Sequence, residues 1–480
     1  MISVDVTGTV SVDVTNVVSG TVDVVVSVST EVSTVVTGVI SVVVTGTVSV
    51  DVVYSVVVTG SVAVTVGVVV AVTVTVCDGV SVTVSVATVV GVSVTVTVGV
   101  GQAGQAVGLE AHDLRAERGG ALLGGEAPEG DQVELTIDPE LQRLAYDALP
   151  DGVRASAVVT DPTTGEILAM VSKPSFDSNA LSSHSATEAQ SAMAAIDQIP
   201  GASAYRNRAA EQLVSPGSTF KLIDAVAMLE SGDYTPDGTV DIPAAWTLPG
   251  TTTELPNYDG SPCNTVGRQT LTWALAQSCN TPFAMAAVEL GQDRIREVAE
   301  RFGFNDSFDY PLPVTGSVFP SDLDDATLAQ SSIGQRDVQA TALQMAMVAA
   351  GIANDGVVME PQLIKAVRRS DLTTVQEFSP RERGRATTPE VAGQVSDMMV
   401  SAVEDGILGS VQSDTVRIAA KSGTAEVGDT GNVHSWITGF DASENPRAAV
   451  TIVVEDEPPG VGHQTVVSGM KAIMEAVVTE

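Results

Sequence analysis

The stretch LVSPGSTFKLIDAVAML, residues 213–229, places a serine after a Pro-Gly pair and a lysine three positions later. An apolar helical pattern follows, so Ser218 and Lys221 are predicted one turn apart on one helix face. A serine nucleophile needs a neighbouring base, and a lysine serves when burial or a second cation lowers its pKa. The stretch therefore predicts either a catalytic serine–lysine pair or an ordinary helix with a serine cap.

Spacing alone does not separate these two interpretations. The stretch SGMK near the C-terminus places Ser468 and Lys471 at the same separation. For an isolated Ser-x-x-Lys, a capping serine followed by a solvated lysine is the favoured interpretation. Other motifs must decide.

A second motif, Ser278-Cys279-Asn280, follows 60 residues after Ser218. It is predicted between the end of one helix and the start of another at Pro282, because proline favours the first helical turn. Side chains in such a corner are free to point into a cleft. A further Ser-x-Asn, Ser443 to Asn445, occurs later in the chain.

A third motif, Lys421-Ser422-Gly423-Thr424, lies in the predicted strand RIAAKSGTAEV. A glycine in a strand leaves room for a ligand backbone to lie alongside, and its neighbours offer a cation and two hydroxyls. The order Ser-x-x-Lys, Ser-x-Asn, Lys-Ser-Gly-Thr is far more specific than any member, and the Ser-x-Asn at Ser443 falls outside that order.

The remaining globular sequence predicts an antiparallel sheet covered by helices. Strand patterns occur at residues 132–137, 155–173 and 415–455, and helical patterns dominate from Ser218 to Gly303. Asp138 is predicted to cap a helix that stops at Gly152. Strand pairs at both ends with helices between them indicate that the first and last segments share one sheet.

Charge and cysteine content exclude several functions. The formal net charge of −36 disfavours nucleic acid as a partner. The chain has only five lysines, so the position of each in this acidic protein needs an explanation. Cys77, Cys263 and Cys279 are odd in number and lack C-x-x-C spacing, which predicts neither a zinc site nor a disulfide framework. Cys279 is predicted to be a small buried hydrophobe. Trp436 and His434 are predicted as packing and edge residues.

The first hundred residues differ from the rest. They consist almost wholly of Val, Thr, Ser, Gly, Ala and Asp, with no Leu, Phe, Pro, Lys or Arg. Their period-two alternation is typical of strands, whereas hydropathy marks the run from Val52 to Cys77 as a membrane span. β-branched residues dominate that run and no flanking cation sets an orientation. We interpret residues 1–100 as low-complexity sequence, either β-like or artefactual in place of an anchor.

The ordered motifs resemble those of the penicillin-binding proteins, specifically the transpeptidase domain of the class B type found in actinobacteria. Supporting stretches are FDSNALSSH, NRAAEQLVSPGSTFK, SSIGQRDVQATALQMAMVAAGIANDG and HSWITGF. The resemblance implies an α+β transpeptidase fold: a five-stranded antiparallel sheet with helices on both sides and an all-helical subdomain. It also implies residues 154–480 as the catalytic domain and residues 101–153 as a linker with a remnant of the non-catalytic pedestal domain.

The resemblance further implies a role for each motif residue in a peptidoglycan D,D-transpeptidase. Ser218 would attack a D-Ala-D-Ala stem peptide, Lys221 would be the general base, and Ser278 would relay the proton. The substrate-binding residues would be Asn280, Lys421, Ser422, Gly423 and Thr424. The backbone N–H groups of Ser218 and Thr424 would form the oxyanion hole. No cofactor or metal is implied, and β-lactams would acylate the same serine.

Several alternatives remain open at this point. A serine β-lactamase shares the motifs, but between Ser278 and Lys421 no Glu is followed by an Asn four residues later, which is the best-known deacylating pattern. A carboxypeptidase or endopeptidase would use water as the acceptor, and a non-catalytic β-lactam sensor would keep the fold. Further implied partners are divisome or elongation proteins and a glycosyltransferase. The implied location is the extracytoplasmic face of the cytoplasmic membrane, with no readable anchor in this N-terminus.

Overall fold

The structure is a computed structural model that describes residues 131–479 except 183–184, 204–205 and 259, together with ten short strands within residues 2–100. Contacts divide the chain into two units, Met1–Pro128 and Glu129–Glu480. The predicted boundaries at residues 100 and 153 remain predictions, although the second unit already begins at Glu129.

The described strands of the first unit pair in parallel. They are β1 (Ile2–Val6), β2 (Val18–Ser19), β3 (Val22–Val26), β4 (Ser33–Thr37), β5 (Ile40–Val44), β6 (Val53–Thr59), β7 (Val62–Val66), β8 (Ala71–Val76), β9 (Val82–Val86) and β10 (Val96–Val100). Odd-numbered strands β1 to β9 form one sheet and even-numbered strands β2 to β10 form another. The run that hydropathy marks as a membrane span therefore contains β6, β7 and β8. Among the described residues, no helix combines the length and hydropathy needed to span a bilayer.

The second unit is built on one five-stranded antiparallel sheet. The described strands of the second unit are β11 (Gln132–Leu135), β12 (Arg154–Thr160), β13 (Ile167–Lys173), β14 (Thr239–Ile242), β15 (Ala245–Thr247), β16 (Glu254–Pro256), β17 (Gly267–Thr270), β18 (Val357–Met359), β19 (Ile364–Arg368), β20 (Thr374–Glu377), β21 (Glu382–Arg385), β22 (Ile418–Glu426), β23 (Val433–Asp441) and β24 (Ala449–Glu457). The main sheet has the order β13-β12-β24-β23-β22. Since β12 pairs with β24, the first and last strand segments share one sheet, as predicted.

Helices cover both faces of this sheet. The described helices of the second unit are α1 (Pro139–Asp147), α2 (Ala186–Ile196), α3 (Arg208–Glu211), α4 (Lys221–Ser231), α5 (Cys263–Val266), α6 (Leu271–Ala276), α7 (Thr281–Leu290), α8 (Gln292–Arg301), α9 (Asp325–Ser332), α10 (Ala342–Ala353), α11 (Pro389–Glu404) and α12 (Pro459–Thr479). Two large apolar clusters pack against the sheet, and a third, smaller one lies apart from it. One large cluster joins α4, α7 and α10 to the sheet and the other joins α1 and α12 to it. The predicted fold class is confirmed.

The helix α1 begins as predicted and ends earlier than predicted. The Asp138 carboxylate accepts hydrogen bonds of 2.8 Å from the N–H groups of Glu140 and Leu141, which satisfies two of the free donors of the first turn. The helix ends at Asp147, whereas the sequence predicted a stop at Gly152. Pro150 explains the difference, because proline cannot continue a helix and restricts the residue before it.

Candidate active site

Ser218 lies in a tight turn at the start of α4. A 3-10 turn covers Gly217–Phe220, and the α-helix begins at Lys221 and ends at the left-handed Gly232. Gly217 has φ +54°, and a Cβ built there would lie 2.5 Å from the Thr424 carbonyl oxygen. Both the left-handed backbone and the close approach require glycine. This contact holds the N–H of Ser218 near the edge strand β22.

Lys221 is fully buried, with 0% of its surface exposed. Its Nζ donates hydrogen bonds to the Ser278 carbonyl oxygen at 2.9 Å and to Asn280 Oδ1 at 2.8 Å. Burial lowers the pKa of the Lys221 amine well below its usual range, the Lys421 charge lowers it further, and the Asp224 charge opposes both. A neutral amine has two N–H groups, which these two acceptors occupy, so its lone pair is left to accept a proton.

Ser278 links the two lysines of the cleft. It sits between α6 and α7 with φ +55°, in the helix corner that the sequence predicted. Its carbonyl accepts from Lys221, while its hydroxyl accepts a 2.7 Å hydrogen bond from Lys421 Nζ. One left-handed residue thereby presents its backbone to one lysine and its side chain to the other.

Asn257 holds this corner in place and was missed by the sequence analysis. Its Oδ1 accepts hydrogen bonds from the N–H groups of Asn280 at 2.7 Å and Thr281 at 3.2 Å. Asn280 in turn donates from Nδ2 to the Pro256 carbonyl at 3.0 Å. Asn257 is almost completely buried, so these bonds fix the side chain of Asn280 against Lys221.

Cys279 forms a disulfide with Cys263, which corrects the prediction that no disulfide is present and that Cys279 is a free buried hydrophobe. The bond ties the Ser-x-Asn corner to the short helix α5, 16 residues earlier. The odd cysteine count misled the prediction, because the third cysteine lies in the low-complexity segment and takes no part in the bond. Sequence separation alone could not reveal that 263 and 279 face each other.

Lys421 reaches the same corner from β22. It is 1% exposed, and its Nζ donates to Ser278 Oγ and, at 2.9 Å, to the Ser422 carbonyl. Burial lowers the pKa of Lys421 to about 7. Lys221 and Lys421, two of the five lysines in this acidic protein, thus form a buried pair. Repulsion between their positive charges favours a neutral amine on one of them.

Gly423 and Thr424 complete the cleft wall. A Cβ on Gly423 would lie 2.5 Å from the Pro216 carbonyl oxygen, so glycine lets β22 pack directly on the turn before Ser218. Thr424 is exposed, and its backbone nitrogen would lie 2.9 Å from a Cβ on Gly217. The backbone N–H groups of Ser218 and Thr424 are therefore carried on two segments in direct contact.

The second serine–lysine pair has a different environment. Ser468 Oγ donates to the Gln464 carbonyl at 2.9 Å, which is an ordinary bond within helix α12, and Lys471 lies 3.9 Å from Glu475. The two pairs therefore share a spacing but differ in their surroundings, which agrees with the prediction that spacing alone does not identify a catalytic pair. The three ordered motifs converge on one cleft, whereas Ser468 lies on the helix that packs against the other face of the sheet.

The fold and this cleft define the class: the chain belongs to the penicillin-binding protein transpeptidase family, whose transpeptidase domain matches residues 155–475. It is similar to the peptidoglycan D,D-transpeptidase PbpA of Mycolicibacterium smegmatis, with 39% identity over 344 residues and 69% of each chain covered. The peptidoglycan D,D-transpeptidase MrdA of Escherichia coli K12 is 29% identical over 369 residues, covering 69% of this chain and 56% of the relative.

A comparison with solved structures leads to the same family. The ceftriaxone acyl-enzyme complex of penicillin-binding protein A from M. tuberculosis superposes with a TM-score of 0.71 at 32% identity. The match covers 76% of this chain and 83% of that one. The predicted resemblance to class B penicillin-binding proteins is thereby confirmed.

Proposed function

We propose that this protein is a peptidoglycan D,D-transpeptidase that cross-links stem peptides through an acyl-enzyme on Ser218. The observation that carries the proposal is the hydrogen-bonded group of Lys221, Ser278 and Lys421 beside the turn that bears Ser218. Family membership and the names of the relatives agree with it. Every step proposed below uses side chains and backbone groups of this chain.

The acylation step begins with Lys221 as general base. Its neutral amine accepts the Ser218 hydroxyl proton while Ser218 Oγ forms a bond to the carbonyl carbon of the penultimate D-alanine. The N–H groups of Ser218 and Thr424 bind the oxyanion that develops. Ser278 then relays a proton to the leaving amine, the C–N bond breaks, and the terminal D-alanine departs.

The remaining motif residues bind the substrate. Lys421, with Ser422 and Thr424, binds the terminal carboxylate through charge-assisted and hydroxyl hydrogen bonds. Asn280 holds Lys221 and the peptide chain, and Gly423 allows that chain to lie against β22. A stem-peptide amine from a second strand then attacks the acyl carbon and gives a proton to Lys221 as the new C–N bond forms. The ester bond between Ser218 Oγ and the acyl carbon breaks, Oγ regains a proton, and the cross-linked peptide leaves.

β-Lactams are proposed to acylate Ser218 because their strained amide presents a carboxylate and a carbonyl in the same arrangement as D-Ala-D-Ala. Penicillin-binding protein A from M. tuberculosis forms acyl-enzyme complexes with ceftriaxone, imipenem and penicillin G. A carboxypeptidase or a serine β-lactamase would form the same acyl-enzyme and differ in the acceptor. Rapid hydrolysis of the penicillin adduct would favour a β-lactamase over a transpeptidase, whereas transfer of the stem-peptide acyl group to water would favour a carboxypeptidase.

Penicillin-binding proteins are cell-wall enzymes, and we assign this chain to the extracytoplasmic face of the cytoplasmic membrane. Divisome or elongation proteins and a glycosyltransferase that supplies glycan strands are the proposed partners. These assignments follow from the family, and pull-down of cross-linked partners from intact cells is the measurement that tests them.

Labelling with a fluorescent penicillin, followed by peptide mapping, tests the proposed function. We expect the label on the peptide that contains Ser218, with slow loss over time. Ser218→Ala should abolish labelling, whereas the matched control Ser468→Ala, a serine at the same spacing from a lysine, should label as wild type. Equal labelling of Ser218→Ala and wild type would contradict the assignment of the nucleophile.

A further inference from the structure

The segment of residues 334–340, between α9 and α10, lies against the turn that bears the proposed nucleophile, and the mechanism above does not use it. The Gly334 carbonyl oxygen accepts a 2.9 Å hydrogen bond from the N–H of Gly217. Gly334 has φ +71°, and a Cβ built there would overlap the Gly217 carbonyl oxygen. Ala340 forms two backbone hydrogen bonds with Val214, of 2.9 and 3.1 Å. The segment is therefore fixed to the turn at both of its ends.

Gln335 extends from this segment to the edge strand β22. Its Nε2 lies 3.5 Å from the Thr424 carbonyl oxygen, and the residue is partly buried. Its backbone is fixed on both sides, because its N–H donates to the Gln330 carbonyl at 3.2 Å and the preceding Gly334 contacts the turn. A carboxamide thus stands beside a residue that we assign to substrate binding.

The Thr424 carbonyl faces the cleft. β22 stands at one end of the strand order of the main sheet, so its outer edge is open to the cleft. A Cβ built on Gly217 would lie 2.5 Å from the Thr424 carbonyl oxygen and 2.9 Å from its nitrogen, so both backbone groups lie beside the turn. In an antiparallel pair, two residues exchange both of their N–H···O hydrogen bonds. An acyl donor whose carbonyl oxygen accepts from the Thr424 N–H therefore brings the N–H of the same residue to the Thr424 carbonyl.

In the proposed mechanism, that residue of the acyl donor is the penultimate D-alanine. Its amide N–H shares the Thr424 carbonyl oxygen with Gln335 Nε2. A carbonyl oxygen has two lone pairs, so it can accept both hydrogen bonds. The 3.5 Å separation from Gln335 is long for an N–H···O hydrogen bond, so the carbonyl keeps capacity for the second donor. Gln335 therefore lies beside the amide group next to the reacting carbonyl.

We propose that Gln335 is a positioning residue that orients the Thr424 carbonyl toward the amide N–H of the acyl donor. The inference rests on the proposed function and deepens it, because it names the group of the donor that this side of the cleft selects. An edge strand has no neighbouring strand that fixes its outer carbonyls, and the Gln335 carboxamide supplies that constraint. An acyl donor with an amide N–H beside the reacting carbonyl gains from it, whereas a donor without this group does not.

Acylation of the full-length protein by two β-lactams with the same ring system tests this role. Penicillin G carries an amide N–H beside the β-lactam carbonyl, whereas penicillanic acid carries hydrogen at that position. Gln335→Leu keeps a similar volume and removes the donor. The ratio of the acylation rate constants, penicillin G over penicillanic acid, should fall about threefold to tenfold, which is the contribution of about one hydrogen bond. Mass spectrometry of the intact protein measures both rates.

Gln335→Glu is the second variant. It keeps the shape of the side chain and replaces the N–H donor with an oxygen that repels the Thr424 carbonyl. The ratio should fall at least as far as in Gln335→Leu. General loss of structure slows both compounds alike and leaves the ratio unchanged.

Gln339→Leu is the matched control. Gln339 lies four residues later in the same segment, and its Nε2 donates to Ser215 Oγ at 3.3 Å. It therefore acts on the turn that bears Ser218, which both compounds need. This variant should slow both compounds by the same factor and keep the wild-type ratio.

The outcomes distinguish this inference from the proposed function. If penicillin labels Ser218 in wild type but both Gln335 variants keep the wild-type ratio, the positioning role is wrong and the transpeptidase assignment stands. A ratio that falls as far in Gln339→Leu would assign the effect to the whole segment and would also overturn the inference. If wild type is not labelled at Ser218, the proposed function itself fails.

Discussion

The indole Nε1 of Trp436 donates a 2.9 Å hydrogen bond to the carbonyl oxygen of Ser215, three residues before the proposed nucleophile. Trp436 is completely buried on β23, next to the strand that carries the Lys-Ser-Gly-Thr motif. The sequence predicted a packing residue, and its ring does pack in the core. The bond adds a second role, because it connects the sheet to the turn that bears Ser218.

Replacing this tryptophan with phenylalanine should slow acylation and lower the free energy of unfolding by about 1–3 kcal/mol, because a buried carbonyl loses its donor. Trp436→Phe keeps an aromatic ring and removes the N–H group, which leaves the Ser215 carbonyl without that donor. We expect about a tenfold lower acylation rate, equivalent to about 1.4 kcal/mol for one buried hydrogen bond. The labelled-penicillin rate and the unfolding midpoint check this.

Thr438→Val is the control for that change. Thr438 lies on the same strand, and its buried hydroxyl bonds to the Met345 carbonyl at 3.0 Å. The variant should lose comparable stability and acylate at the wild-type rate. Equal slowing in both variants would mean that any damage to β23 affects acylation, and that the bond to Ser215 has no special role.

Removing the disulfide should destabilise the protein and loosen the Ser278 corner. Cys263→Ala with Cys279→Ala opens a loop whose ends are 16 residues apart. Closure of a loop of this length contributes about 3 kcal/mol to the free energy of unfolding. Urea unfolding should show that loss, and acylation should slow because Ser278 and Asn280 flank Cys279. Cys77→Ser, which leaves the bond intact, should match wild type in both measurements.

Acylation should decline above neutral pH as Lys421 loses its charge. Its pKa is lowered to about 7 by burial, so the deprotonated amine no longer attracts a carboxylate above that value. We expect the alkaline limb of the acylation rate near pH 7 for penicillin. A penicillin methyl ester, which lacks the carboxylate, should react slowly and without this limb. An identical limb for acid and ester would assign it to another group.

The same lysine also affects stability in a defined direction. Its folded-state pKa of about 7 lies below the ordinary 10.5, so between these values the unfolded chain binds more protons than the folded chain. The contribution of Lys421 to the free energy of unfolding therefore rises with pH across this window. In Lys421→Met, which cannot titrate, urea unfolding should show a smaller rise over the same window.

A methyl group on Gly217 should slow acylation by about a hundredfold or more. Gly217→Ala forces a left-handed alanine, and its Cβ would lie 2.5 Å from the Thr424 carbonyl oxygen. The turn must move away from β22, and loss of one oxyanion donor slows acyl transfer by about a hundredfold or more. Labelled-penicillin rates measure the effect.

Gly232→Ala is the matched control for Gly217. Gly232 also has a positive φ, of +79°, but no atom lies within 4 Å of a Cβ built there. The left-handed alanine should cost about 1 kcal/mol in unfolding free energy and leave acylation unchanged. A similar loss of acylation in both variants would assign the effect to backbone strain in α4.

The convergence of Ser218, Lys221, Asn280 and Lys421 could be predicted because each belongs to a short motif with its own local structure. A serine at a helix start, an asparagine in a helix corner and a glycine-bearing strand are visible in consecutive residues. Their order in the chain then supplied the family resemblance. The antiparallel sheet followed similarly from strand patterns at both ends of the globular sequence.

The contacts that hold these motifs in place could not be predicted. Asn257 acts on Asn280 across 23 residues, and Trp436 acts on Ser215 across 221 residues. Such pairs depend on tertiary packing, which no local pattern records. The spacing of Asp224 from Lys221 is visible in the sequence, but the burial of its carboxyl without a hydrogen-bond partner is not, because that depends on the helices packed around α4.

Gly217, Gly334 and Gly423 each lie so close to a neighbouring backbone that a Cβ would come within 2.5 Å of a carbonyl oxygen. In a bacterium exposed to β-lactams, substitution of these glycines is therefore not a means of resistance, because it would damage the enzyme's own reaction. A side chain at any of these glycines would push the neighbouring backbone segments apart. It would therefore displace the turn that bears Ser218, which the native reaction needs as well. Substitutions that reduce acylation by a drug and keep the enzyme active are therefore expected outside these three positions.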